Sequence, residues 1–325
     1  MTFAKYYFLI CLFITPVVTL TAQSADTLTA FYYKEGLTAL NKKDYEAAKN
    51  LFKKSISEKE NAPAEYELAK ILVSKNSIEA RNEARDLMTR AIFADPNNIK
   101  YHLLMADLWE YISDELASIE YENILKIDST NIIALLQLGK MKEKHFEEYN
   151  NSFLLDDPSN PMLNFYKLSE KYFGEAKSYF EKVLSVDSLN SQAILHLSFL
   201  NDDIKKPEKA LPLLEKLVKY CPEDKGARLC LGVMYYKTSN LQGSYIEYQE
   251  ALKLMDVNER MDFTFNSVKE LIEPLFGGKM ENYSDKELQN LINSYWTVKN
   301  PLFMSKYNAR LLEHYTSVAE ANLHF

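Results

Sequence analysis

The feature that most limits how this chain can fold is a 34-residue period within Ser191–Asp256. Ala210, Leu214, Leu217 and Pro222 have counterparts 34 positions on in Ser244, Tyr248, Ala251 and Asp256, and Leu197/Ser198 pair with Leu231/Gly232 on the same spacing. Small residues at two positions with large apolar ones between them define a helix–turn–helix unit. Such a unit cannot bury its apolar face alone, so copies must stack.

Earlier segments carry the same pattern. Thr29–Ala62 places Tyr32, Gly36 and Ala39 on one helix and Tyr45, Ala48, Phe52 and Ser55 on the next, joined by Asn41–Asp44. A close crossing is expected where small meets small, here Gly36 against Ala48. Pro63–Asn98 repeats the pattern through Ala84, Met88 and Ala91, with two extra residues in its Ser74–Glu83 turn. Asn98–Asn131 repeats it through Ala117, Tyr121 and Ile124. Register weakens over Asn131–Asn190, which reads as two imperfect copies, the second with a short first helix over Pro161–Glu170 and a partner through Phe173, Ala176, Phe180 and Val183. Ser191–Asp224 and Lys225–Asn258 restore it, for about seven copies over residues 29–258.

This pattern resembles the tetratricopeptide repeat (TPR) family. The resemblance implies an all-α, TPR-type α-solenoid, a right-handed superhelix of helix–turn–helix repeats, here with a C-terminal helical extension. It also implies that the chain holds a protein or peptide in a concave groove lined by the first helix of each repeat. Carried onto this sequence, the groove positions are Tyr33, Leu37 and Leu40, then His102, Ala106 and Trp109, then Leu195, Phe199 and Asp202, and finally Leu229, Val233 and Tyr236. Their aromatic and aliphatic character suits an amphipathic helix or extended peptide with apolar anchors. The alternative is that part of this stripe is core, or is covered by the chain's own C-terminal helices. The subclass of the family that clamps a C-terminal carboxylate uses Lys, Asn and Arg at such sites; the mostly apolar residues here exclude that partner.

Composition narrows the function classes. Hydrophobic residues make up 47% of the chain, enough for a large buried surface, and only 8 glycines argue against glycine-loop enzymes. The net charge is −8, and removing residues 1–23, whose one charge is Lys5, leaves −9. That balance disfavours nucleic acid, where cationic groups must displace counterions. Met1–Gln23 reads as an export signal, with Lys5 before an apolar run and Thr21-Ala22-Gln23 before cleavage. The expectation is an exported protein of the periplasm or envelope of a Gram-negative bacterium, with no stable membrane insertion once the signal is cleaved. Cys221 and Cys230 remain, nine apart, as a turn residue and a core residue or, alternatively, as a disulfide.

After the repeats, residues 259–278 contain a helical pattern over Asp262–Phe276 that is expected to cover the end of the stack. Lys279–Tyr283 reads as a linker, and Ser284–Glu287 as a capping box that opens the segment 284–325. Within that segment Tyr295-Trp296, Asn300-Pro301, Asn308, Glu313-His314-Tyr315, Val318, Ala321 and Phe325 resemble the leading part of the bacterial Gly-Trp-x-Thr-Asp (GWxTD) domain. Ala309 departs from the acidic residue usual there. The resemblance implies an exported bacterial protein and carries over no activity.

Catalytic patterns are lacking. His102, His145, His196, His314 and His324 fall at no metal spacing. Gly277-Gly278-Lys279 has neither the upstream glycine nor the Ser/Thr of a phosphate loop, and reads as a helix stop. Asp156-Asp157, Asp202-Asp203 and Glu147-Glu148 read as solvated acids. The expectation is a non-catalytic scaffold without metal or cofactor. The alternative is a repeat platform presenting a truncated GWxTD-type module.

Overall fold

The computed structural model describes residues 24–75, 77–152, 165–270, 284–299 and 307–324, with no strand among them. The chain divides into two compact units, Met1–Ala134 and Leu135–Phe325.

The N-terminal unit is built of helix pairs: α1 (24–41) with α2 (Tyr45–Glu58), α3 (Ala62–Val73) with α4 (Ile78–Ala94), and α5 (Ile99–Glu110) with α6 (Asp114–Ile127). Short polar residues fix where the helices begin. The side chains of Asp44, Asn61, Ser77 and Ser113 each accept a hydrogen bond from the backbone N–H three residues on, satisfying one donor the helix leaves open. The turn into α2 uses Lys43 at φ 60°, the left-handed region, to reverse direction within three residues. Ala48, Phe52, Leu68, Leu72, Met88, Ala91 and Leu108 then form a continuous buried cluster.

The crossing of α1 and α2 differs from the small-on-small expectation. A Cβ on Gly36 would lie 2.6 Å from the ring of Phe52, so the glycine leaves room for an aromatic ring against the first helix, and the closest approach there is by Phe52, not Ala48. The two extra residues placed in the Ser74–Glu83 turn are absorbed elsewhere: α4 is lengthened to 17 residues, against 14 in α2 and α6.

The C-terminal unit contains most of α7 (Ile132–Ser152), α8 (Phe165–Val186), α9 (Ser191–Asp203), α10 (Leu211–Tyr220, after a 3-10 turn at Pro207–Lys209), α11 (Lys225–Lys237), α12 (Leu241–Leu254) and α13 (Val257–Thr264). Two further helices follow, α14 (Asp285–Lys299) and α15 (Ala309–His324). The expected break at Glu170 is absent, because Phe165–Val186 is one helix. Its Phe180 ring sits 2.6 Å from where a Cβ of Gly139 would be, and Gly232 meets Tyr248 at 2.7 Å in the same way. This shared contact makes α7 and α8 the two helices of a single elongated pair where the spacing suggested two short copies.

Beyond the repeats, Asp256 and Glu259 close a reciprocal capping box at the start of α13, five residues before the helix expected from Asp262. The rest of that expected segment, residues 271–283, lies outside the described residues, as do the export signal, Asn300-Pro301 and Phe325. Ser284 meets Glu287 through both its N–H and its hydroxyl, so the expected cap opens α14. Phe265 and Val268 pack with Leu288, Ile292 and Trp296 of that helix.

Candidate functional site

The first helices α1 and α5 of the N-terminal unit carry the first set of expected groove residues. Tyr33, Leu37, Leu40 and Trp109 are half-buried, resting on the unit's core with part of each side chain open to solvent. Tyr66, which the family pattern did not select, joins them: it packs against the buried Tyr101 with centroids 5.4 Å apart, and Lys70 lies over Tyr66 at 5.1 Å. Burial, then the nearby Glu67 carboxylate, raises the pKa of the Tyr33 phenol above its ordinary value, so it stays a neutral donor at physiological pH. Arg85 of α4 lies over the Trp109 ring at 5.0 Å, placing a cation on the aromatic face.

His102 and Ala106 are not part of that open surface. His102 is 4% exposed, with Nδ1 2.6 Å from the Glu120 carboxylate and Nε2 2.9 Å from the Pro96 carbonyl. The residue ties α5 to α6 and to the preceding turn, which the spacing of a lone histidine on a helix could not reveal. Ala106 is fully buried.

In the C-terminal unit the corresponding residues have an occupant. Phe199, Leu229 and Val233 are buried, and with half-buried Leu195 and Tyr236 they share one apolar cluster with Leu312, Tyr315 and Ala319 of α15. The expected open lining of this unit is therefore covered by the chain itself. The helices α9 and α11 run parallel: Ser191 bonds to Asp224 at their N-terminal ends and Lys237 bonds to Asp202 at their C-terminal ends. The α15 helix runs the opposite way along α11, with Glu313 and Arg310 acting on Tyr236 at one end and Leu323 approaching Gly226 at the other.

Polar contacts fix the register of α15. The hydroxyls of Tyr248 and Thr316 are 2.8 Å apart and buried. Lys237 is clasped between Asp202 and Glu320. Burial alone would lower the Lys237 pKa, but the two carboxylates outweigh it and raise the value, keeping the ammonium charged. Cys230 is buried at the floor and Cys221 is half-buried; neither is in a disulfide. Burial pushes the Cys230 thiol upward, as expected for an inert core residue.

Elsewhere, a cavity of about 570 Å³ lies beside α7 and α8, lined among the described residues by Phe146, Asn150, Ser169, Phe173 and Lys206, among others. The His196–Glu143 pair, at 2.6 Å, has the Phe180 ring stacked on it and links α9 to α7. Among the described residues, no three His, Cys, Asp or Glu side chains converge as a metal site, and no helix is long and apolar enough to cross a membrane.

Residues 29–61 match the tetratricopeptide repeat family model. Among solved structures, the chain is similar to a tetratricopeptide repeat protein from Parabacteroides merdae, with 14% identity over 90% of this chain and 99% of that one, at a TM-score of 0.55. It is also similar to the MamA protein, with 16% identity over 63% of this chain and 95% of that one, at a TM-score of 0.43. A third likeness is to YrrB, described as a TPR protein with an unusual peptide-binding site, with 18% identity over 59% of this chain and 86% of that one, at a TM-score of 0.44. No curated protein matches the chain. The fold is thus all-α and of the TPR-type solenoid class, as the helix pairs and the Parabacteroides merdae structure both show.

Proposed function

We propose that the protein is an exported, non-catalytic scaffold of the bacterial cell envelope that holds a partner protein through a helix or peptide laid on its first helices. The observation that carries this reading is α15, an amphipathic helix seated on the first-helix face of α9 and α11. The face therefore has the shape and chemistry to take a helix. The corresponding positions of the N-terminal unit, Tyr33, Leu37, Leu40 and Trp109, have the same aromatic and aliphatic character and retain solvent exposure. Burial of such side chains supplies roughly 25 cal/mol per Å² of apolar surface.

Photocrosslinking in intact envelopes tests this. A photoreactive residue in place of Trp109 should trap a discrete partner, and Tyr33→Ala in the same chain should abolish the adduct. A crosslinker at Tyr45, exposed at the start of α2, should trap none. Adducts of equal yield from both positions, or none from Trp109, would overturn the assignment of the face. Export is tested separately by fractionation and by the N-terminus of the mature protein, expected just after Gln23.

A second reading, in which the repeats present a GWxTD-type module, draws on the joint packing of Trp296, His314 and Tyr315. The Trp296 and His314 rings are stacked at 4.9 Å, and Asn308 bonds to the Trp296 carbonyl. Loss of partner capture on disrupting these residues alone, with the Trp109 face intact, would favour it.

A further inference from the structure

Three properties define the position of α15. Its direction is opposite to that of α9 and α11, whereas successive first helices run parallel. It touches both of those first helices, together with α12 and α13, so it lies on their shared face. Its buried residues Leu312, Tyr315, Thr316 and Ala319 form one stripe, while Arg310, Glu313 and Ser317 face solvent, as on a helix bound to a groove.

The helices beneath it also pack on one another, α11 against α12, α10 and α9. Leu200, Leu214, Leu217, Leu231, Met234 and Ala251 are buried among α9 to α12. Lys237 would also keep a partner if α15 left, because Asp202 pairs with it independently of Glu320. The face presents an apolar seat for a helix of like pattern, and Lys237 beside it points to a carboxylate on that helix.

We propose that α15 is a displaceable internal ligand, which closes the α9–α11 face until an amphipathic helix of a partner protein replaces it. That helix would carry a large aliphatic residue, an aromatic and a small residue along one stripe, with a Glu or Asp meeting Lys237. The proposal rests on reading the first-helix face as a partner surface. Its test involves only α15 and its seat, so failure of the Trp109 crosslink would leave it standing.

Hydrogen exchange on the unmodified full chain is the first measurement. Amides of α15 should exchange at least about tenfold faster than those of α11, through an opening that leaves α11 protected. Equal protection in the two helices would mean that α15 leaves only when the unit unfolds, and would overturn the proposal. The second measurement uses a fluorescent peptide spanning Ala309–His324. It should bind the full-length Leu312→Asp variant at least about tenfold more tightly than the unmodified protein, since the resident helix no longer competes. A Glu320→Lys version of the peptide should bind more weakly than the native one. Equal binding of the native peptide to variant and unmodified protein, or loss of α11 protection in the variant, would refute displacement.

Discussion

The first-helix faces of the two units are built from the same kinds of residue and differ in what packs against them. In the N-terminal unit Tyr33, Leu37, Leu40 and Trp109 rest on the core and keep part of their surface in water. In the C-terminal unit Phe199, Leu229 and Val233 are 2%, 6% and 0% exposed and share one apolar cluster with Leu312, Tyr315 and Ala319 of α15. The difference does not come from the repeats, since Gly36 and Gly232 are packed by Phe52 and Tyr248 in the same manner. It comes from a helix supplied by distant sequence. An apolar stripe on a first helix thus identifies a surface that takes another helix, without saying whether that helix belongs to the same chain.

The sharpest way to break this comparison is to truncate one residue from each face. Phe199→Ala should destabilise the C-terminal unit by about 3–5 kcal/mol, the usual cost of emptying a buried aromatic site. Trp109→Ala should cost the N-terminal unit only about 1–2 kcal/mol, from partial burial and the loss of its contact with Arg85. Denaturant unfolding followed by circular dichroism would show this, and equal losses would erase the distinction. Next in size, Gly36→Ala and Gly232→Ala should each cost about 1–3 kcal/mol by driving a methyl into an aromatic ring. Similar values in the two units would confirm a common repeat beneath the different faces.

A smaller effect should appear only where α15 is seated. Tyr248→Phe removes the hydroxyl bonded to Thr316 and should cost about 1 kcal/mol. In a double-mutant cycle, adding Thr316→Val should cost less than it does alone. The smallest effect is one of pH. Burial lowers the His314 pKa below its ordinary 6.5, so the unfolded chain takes up a proton more readily than the folded one. The stability this neutral ring contributes is present above about pH 6.5 and is lost as pH falls below it toward the depressed folded value. The protection of α15 amides, taken relative to their intrinsic exchange at each pH, should therefore fall between pH 7 and 5.5, and His314→Gln should flatten that dependence.

Much of the helix architecture was legible because its causes are local. Asp44, Asn61, Asn190 and Asp224 cap helices through bonds to residues three positions on. Gly36 and Gly232 mark crossings with a partner 16 residues later. Gly139 and Phe180 make the same contact from 41 residues apart, and a fixed-period reading could not join them across lengthened helices. The groove residues were legible as a class, since apolar first-helix positions recur. Their exposure was not. His102 is buried by an acid on another helix, and Phe199, Leu229 and Val233 are buried by a segment some 80 to 120 residues later in the chain. Periodicity within α15 shows that it has an apolar side, but it carries no information about which surface that side covers.

The most direct measurement of the central claim is hydroxyl-radical footprinting of the unmodified protein, comparing tyrosines with tyrosines. Tyr33 and Tyr66, on the open face, should oxidise several-fold faster than Tyr248 and Tyr315, beneath and within the helix that closes the other face. Oxidation of Tyr315 as fast as that of Tyr33 would contradict it, because α15 would then not occupy the seat on which the comparison of the two faces depends.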